Sequence, residues 1–163
     1  MCNTETEVCI ESIESGNYNS EWVKLPLTGE EIKDINDAYG EYEIVDLETG
    51  LSILLDGYNL SDLNALIQRI ETELDEDEFE TLNAYFETID TDIDTAIGRV
   101  KDGDCHLYKG MSLSDVAYEL VKEGLFGDVS DSLMNYIDYE RLGTDLGYDN
   151  YYEASNGVIE YRG

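Results

Sequence analysis

Apolar positions recur along the chain with two different periods, and the switch between them divides it. Residues 22–27, Trp-Val-Lys-Leu-Pro-Leu, read as a short strand or extended segment closed by Pro26. Thr28 followed by Glu31 makes a capping box, in which the hydroxyl and the carboxylate each accept from the other residue's backbone N–H. A short helix should follow, with Ile32 and Ile35 on its inner side. Residues 42–47 alternate apolar and polar side chains roughly as a half-buried strand does. Glu48-Thr49-Gly50 reads as a turn into a second strand over 51–55, ended by Asp56 and Gly57. This opening region is mixed α and β.

From Asn59 the spacing becomes helical. Ser61 is placed to cap a helix that carries Leu63, Leu66, Ile67, Ile70 and Leu74 on one face. Beyond the acidic run 75–78, Phe79, Leu82, Tyr85 or Phe86, and Ile89 continue the period, and Ile93, Ala96, Ile97 and Val100 form a shorter set. Two or three helices with short links are expected over 59–100. Asp102-Gly103-Asp104 signals a turn and a boundary. A strand is expected at Cys105–Lys109. Ser112 with Asp115 makes a second capping box, opening a helix with Val116, Ala117, Leu120 and Val121 inside and a stop at Gly124. Ser130 or Asp131 caps a further helix with Leu133, Tyr136, Ile137, Leu142 and Leu146 on its inner side. Asn156-Gly157 is a hairpin signal between arms at Tyr151–Ala154 and 158–161. The pattern predicts an α+β protein of three small abutting regions, 1–57, 58–103 and 104–163, with an acidic helical middle.

Charge changes this picture most. The 163 residues carry 39 Asp and Glu against 9 Lys and Arg, a net charge of −30. A small soluble domain usually carries a net charge of magnitude about 2 to 8, so solubility alone does not account for the value. With 42% apolar residues and 13 Tyr, the chain is too hydrophobic for a disordered acidic tail, and it folds against its own repulsion. Direct binding to nucleic acid is excluded, because that needs clustered Lys and Arg to release counterions. Anionic membrane surfaces repel it for the same reason.

Three cysteines, Cys2, Cys9 and Cys105, without repeated spacing give no disulfide framework and no zinc ligand set. The first ten residues hold no basic residue and no apolar run, and no stretch approaches a membrane span. A reduced, cytoplasmic protein is expected. Cys105 and His106, the only histidine, would point to opposite faces of a strand and cannot form a dyad. Asp90-x-Asp92-x-Asp94 copies the start of a calcium loop but has Thr95 where glycine belongs and Lys101 where glutamate belongs. No glycine-rich phosphate loop appears, and among 39 carboxylates no acid pair is singled out. These readings predict no cofactor, no metal and no enzyme.

Carboxylates can also substitute for phosphates. Duplex DNA carries one negative charge per about 1.7 Å of axis, so thirty charges would span about 50 Å, comparable to the roughly 40 Å diameter of a compact chain of this size. Arg69 and Arg99 flank 29 residues with no positive charge. By helical spacing, Glu71, Asp75 and Glu78 fall on one row, and Glu73, Asp77 and Glu80 on another. With Glu87, Asp90 and Asp92 they are the candidate phosphate-mimicking residues. Like-charged rows cost helix stability, which argues for a use other than stability. An acidic interaction domain, a protein of a salt-loving organism and an enzyme remain open at this point.

The segment 124–146, with Ser132-Leu133-x-Asn135-Tyr136-Ile137-Asp138-Tyr139-Glu140 at its heart, resembles the ArdA antirestriction proteins of conjugative plasmids and transposons. Tyr18-Asn19, Glu21-Trp22-Val23 and Leu25-Pro26 partly match the family's N-terminal pattern, and Gly157-x-x-Glu160 is similar to its ending. Gly143-Thr144-Asp145 departs from the family's usual Ala-Arg-Asp, and the stretch before Trp22 is shortened. The resemblance implies an elongated, acidic homodimer that mimics bent DNA and occupies the DNA-binding site of type I restriction–modification enzymes. An inhibitor of another DNA-binding defence complex, such as a CRISPR effector, is the alternative. It implies that Leu133, Asn135, Tyr136, Ile137, Asp138 and Tyr139 serve the fold, the dimer or the target.

Overall fold

A computed structural model describes residues 1–14, 16 and 19–163. Tyr18, part of the N-terminal resemblance, lies outside the described residues. The chain forms two compact units, Met1–Phe79 and Glu80–Gly163.

The first unit holds β1 (Glu7–Ser12), β2 (Ser20–Lys24), α1 (Gly29–Tyr39), β3 (Tyr42–Glu48) and α2 (Leu60–Glu73), and ends within the first turns of α3 (Glu76–Thr88). Its antiparallel sheet has the order β2-β1-β3. The central strand continues an alternation that begins before it: Cys2, Thr4, Thr6, Val8, Ile10 and Ser12 are all buried. The inward threonines are satisfied by a hydroxyl chain. Thr4 Oγ1 bonds Thr6 Oγ1 at 2.7 Å, and Thr6 Oγ1 bonds Thr49 Oγ1 at 2.8 Å. The Thr28–Glu31 capping box forms as expected and starts α1, which buries Ile35 and Tyr39 and half-buries Ile32. Asn64, buried on α2, clamps the segment after Pro26 by accepting from Leu27 N at 2.6 Å and donating to Leu27 O at 3.0 Å.

Two local expectations are corrected here. Residues 51–55 do not form a strand. Gly50 N–H donates to Thr4 O at 2.8 Å and Leu51 N–H to Thr49 Oγ1 at 3.2 Å, so the chain leaves β3 bound to the N-terminal segment and takes an irregular path that buries Leu51 and Leu55. Asn59, not Ser61, caps α2, its side chain accepting from Asp62 N at 2.8 Å. The helix buries Leu63, Ile67 and Ile70 and half-buries Leu66.

The second unit comprises the rest of α3, α4 (Ile93–Lys101), β4 (Cys105–Lys109), α5 (Leu113–Lys122), α6 (Asp131–Met134), α7 (Tyr139–Gly147), β5 (Tyr151–Ala154) and β6 (Gly157–Tyr161). Its antiparallel sheet has the order β4-β6-β5. Val116, Ala117 and Leu120 of α5 meet Leu146, Tyr151 and Val158 in its core, with Leu113, Tyr139 and Leu142 against it. The Ser112–Asp115 capping box is present. The hairpin forms at the expected place, but its loop is Ser155-Asn156, and Gly157 is already the first residue of β6, opposite Lys109. A Cβ on Gly157 would collide with Tyr108 O of β4, so this glycine serves close strand approach as well as the turn.

The single helix expected from residue 130 onward is two. α6 is one turn, ending at its C-cap Asn135, and Asp138 restarts the chain as N-cap of α7 by accepting from Arg141 N at 3.0 Å. The break follows from Asp138, whose side chain competes for backbone amides as helix interiors do not allow. Tyr136 is therefore not a core residue but 85% exposed, and Leu133 is 58% exposed. Tyr139 is drawn inward: its hydroxyl donates to Met134 O at 2.7 Å and its ring meets that of Tyr118 edge-on at 5.2 Å.

Gly143 shows why α7 can lie so close to α5. A Cβ there would stand 2.7 Å from Leu113 C and 2.8 Å from both Leu113 O and Ser114 N. Alanine is favoured over glycine in a helix interior by about 1 kcal/mol, but overpacking against rigid backbone costs about 1–3 kcal/mol. Gly143→Ala should thus lower the urea midpoint despite the gain in helix propensity. A raised midpoint would show that α7 is free to slide away.

Candidate DNA-mimicking surface

Neither of the expected carboxylate rows runs along one helix. α2 ends with Leu74 in an extended conformation, and α3 starts afresh. Asp75 Oδ1 accepts from Glu78 N at 2.8 Å while Asp75 N–H donates to Glu78 Oε2 at 2.9 Å. This reciprocal pair is a capping box built from two acids. Glu76, Asp77 and Glu78 then occupy the first turn of α3, where the positive end of the helix dipole favours them. Part of the acidic density thus has a local structural cause that a row along one helix would not supply.

Other candidates are also held. Glu71 is half-buried and accepts from Thr4 N at 2.8 Å and Thr4 Oγ1 at 2.9 Å, tying α2 to the N-terminal segment. Glu73 meets Arg69 at 3.4 Å on the same helix. In the second unit Glu80 meets Lys109 at 2.8 Å. Glu87 accepts from Ser155 N at 2.7 Å and Ser155 Oγ at 2.6 Å, fixing the β5–β6 loop. Asp90 is exposed. Asp92 caps α4 through Thr95 N at 2.8 Å and Thr95 Oγ1 at 2.7 Å, so the calcium-like spacing has a capping role. The Thr95 hydroxyl, then its amide, holds the Asp92 carboxyl below the usual carboxylate range.

Six of the nine candidates, Glu73, Asp75, Asp77, Glu87, Asp90 and Asp92, are exposed; Glu71, Glu78 and Glu80 are half-buried. A bond from a neutral amide leaves a carboxylate its full charge. Glu73 and Glu80 each face a cation, Arg69 and Lys109. Arg99, at the far end of the cation-free span, is directed at aromatic groups. It donates to the buried Tyr85 hydroxyl and lies 4.7 Å from the centre of the Tyr161 ring. The last turns of α1, α2, α3 and α7 contain no basic residue, although cations there would each stabilise by about 0.3–1 kcal/mol. The chain forgoes that stabilisation and keeps its surface negative.

No catalytic arrangement was found by sequence reasoning, and the geometry explains why His106 and Cys105 do not supply one. His106 is exposed and meets the Tyr108 ring edge-on at 4.5 Å. Cys105 is half-buried, and desolvation, then the Asp104 charge, pushes its thiol up to about 11, far from the thiolate a nucleophile requires. Among the described residues no cluster of three or more His, Cys, Asp or Glu side chains could hold a metal ion, and no helix is long and apolar enough to cross a membrane.

Fold and surface together define an acidic α+β protein whose distinctive chemistry is a dense display of fixed carboxylates. The sequence model of the family described as Antirestriction protein (ArdA) matches residues 8–160, and the chain belongs to that family. It is an antirestriction protein of the DNA-mimic type, and its partner is a type I restriction–modification enzyme. No curated protein matches the chain.

The Asp92 cap separates charge from structure. Its folded pKa is depressed, so the stability it contributes is present above the unfolded value of about 3.9 and is lost as pH falls through the lower folded value. Asp92→Ala should lower the melting temperature at pH 7, with a deficit that narrows as pH falls through that value. Asp92→Asn keeps an oxygen acceptor but not the charge, and should recover part of that loss at pH 7. Equal losses at pH 7 would show that the charge, and not the cap, supports α4.

Proposed function

We propose that the protein works by competitive occupancy. Its carboxylates take the places of phosphates in the positively charged DNA channel of the restriction enzyme, so that incoming DNA finds the channel filled. The observation that carries this reading is the cation-free span between Arg69 and Arg99, folded as helices with Glu73, Asp75, Asp77, Glu87, Asp90 and Asp92 exposed. Glu71, Glu78 and Glu80 complete the candidate surface, in supporting positions. Counterions released from both partners and charge steering favour the encounter. The site of action is the cytoplasm, where such enzymes meet incoming DNA. We retain the division at 57 and 103, with the acidic helices as the middle region.

Titrated into a complex of a type I enzyme with its DNA, the protein should release the duplex. Unchanged DNA occupancy at saturating protein, across several type I families, overturns the reading. An exposed ion pair is worth about 0.2–1 kcal/mol. Glu73→Gln, Asp77→Asn and Glu80→Gln together should therefore weaken binding on the order of tenfold, while each alone does little. Abolition by one change in a folded chain would mean a discrete hot spot instead.

The active form in this reading is a homodimer joined through 124–146. Leu125, Phe126, Leu133 and Tyr136 are exposed there, and apolar contact is what could hold together two chains of −30 each. Asn135, Asp138, Ile137 and Tyr139 shape the turn that presents them. Added salt should strengthen the dimer by screening repulsion and weaken target binding by screening attraction. Sedimentation at low and moderate salt measures the first effect. A monomer at micromolar concentration in both conditions rules the dimer out.

A further inference from the structure

β3 is an edge strand. β1 pairs with one side of it, and among the described residues no strand pairs with the other. The segment that the hydrophobic pattern predicted as a neighbouring strand stands off instead, and a groove of about 640 Å³ runs between it and β3. A second hollow of about 520 Å³ adjoins Tyr42, Glu43 and Ile44 at the start of the same strand. Every residue lining either hollow belongs to the first unit.

The groove has an apolar wall and an acidic rim. Ile44, Leu47, Ile53 and Leu55 line it, and Val45 and Leu54 are 46% and 84% exposed beside it. Asp46, Glu48 and Asp56 are its acids, Glu43 lines the second hollow, and no Lys or Arg is among the lining residues of either. Natural edge strands are guarded against self-pairing by charges and bulges. Both devices are present here. The register shifts between Cys9 and Ile10, leaving Val45 as the extra residue of β3, and Leu47 N–H is closed by Asp46 Oδ1 at 2.8 Å. These devices repel a second copy of the same acidic edge. They attract a strand of the opposite charge, whose cations would meet the rim and draw Asp46 away from Leu47 N–H.

We propose that this edge is a docking site for an extended, basic segment of a partner protein, one that alternates Lys or Arg with apolar residues. The segment adds as a fourth strand beside β3. Its backbone supplies the missing ladder, its apolar side chains face Ile44, Leu47 and Leu54, and its cations face the acidic rim. At about 3.4 Å per residue, the seven residues of β3 offer roughly 24 Å of edge.

The test uses the chain alone with synthetic peptides, and so stands apart from the antirestriction reading. The probe is a capped peptide alternating Val and Lys over the length of β3. It should slow amide exchange within Tyr42–Glu48 and shift those resonances. A version N-methylated at alternate backbone amides, and one with Gly in place of Val, should bind several-fold more weakly. Leu54→Ser, at an exposed position, should weaken the parent peptide likewise. Equal binding of the N-methylated peptide, equal binding of the glycine peptide, or shifts spread over the acidic helices and not β3 would each overturn the proposal, since charge alone would then explain binding. Concentration-dependent protection of β3 without peptide would also overturn it, in favour of a second copy of the chain.

Discussion

With 39 acidic side chains and 9 basic ones, ion pairing can satisfy only a minority of the carboxylates, and the rest need a different donor. Backbone N–H groups supply it repeatedly. Glu31 accepts from Thr28 N, Glu78 from Asp75 N, Asp115 from Ser112 N, Asp138 from Arg141 N and Glu41 N donates to Glu14. A cation would hold a carboxylate and cancel its charge. An amide at a helix N-terminus holds it and leaves the charge in place, and the bond to an ionised acceptor is stronger than a neutral one. This substitution lets a chain of −30 fold with its negative surface intact.

The same device has a functional side. Under the proposed function, a target channel that reads phosphates would meet carboxylates already tethered by the fold, so less side-chain freedom would be lost on binding than a loose glutamate would lose. Glu87 and Asp92 carry this furthest, each taking two bonds from one residue. Asp77 and Asp90 are exposed on the same acidic stretch. The carboxylates are thus distributed over several elements.

Much of the fold was legible because it is written in short-range chemistry. Thr28–Glu31 and Ser112–Asp115 announced their helices, and Asn156-Gly157 announced the last hairpin. β1 is not legible, because Val8 and Ile10 are its only fully buried aliphatic side chains, and the alternation continues on either side through the hydroxyl residues Thr4, Thr6 and Ser12, made tolerable by their hydrogen bonds in the fold. Residues 51–55 look like a strand, but Gly50 just before them is bound to the distant Thr4 and Leu51 to the neighbouring Thr49 hydroxyl. At the candidate surface, residue identity gave the charge but not its placement. Helical spacing carried across 74–75 assumes a continuous helix, and the acid pair Asp75–Glu78 is itself the signal that one helix ends and another begins. Tyr136 was misplaced for a like reason, since Asp138 restarts the chain three residues after Asn135.

Dependence on amides also bears on how such a surface can drift. A salt bridge ties two sequence positions together, so a change at either breaks it. A backbone N–H is present at every position except proline, whatever side chain stands there. The donor that braces Glu78 or Asp92 is therefore not lost when neighbouring side chains vary, provided the helix still begins at that point. Negative charges can then be gained, lost or moved one at a time by descent, each new acid finding its anchor in the main chain. A lineage built this way can redraw its charge map against a changing opponent without rebuilding its fold.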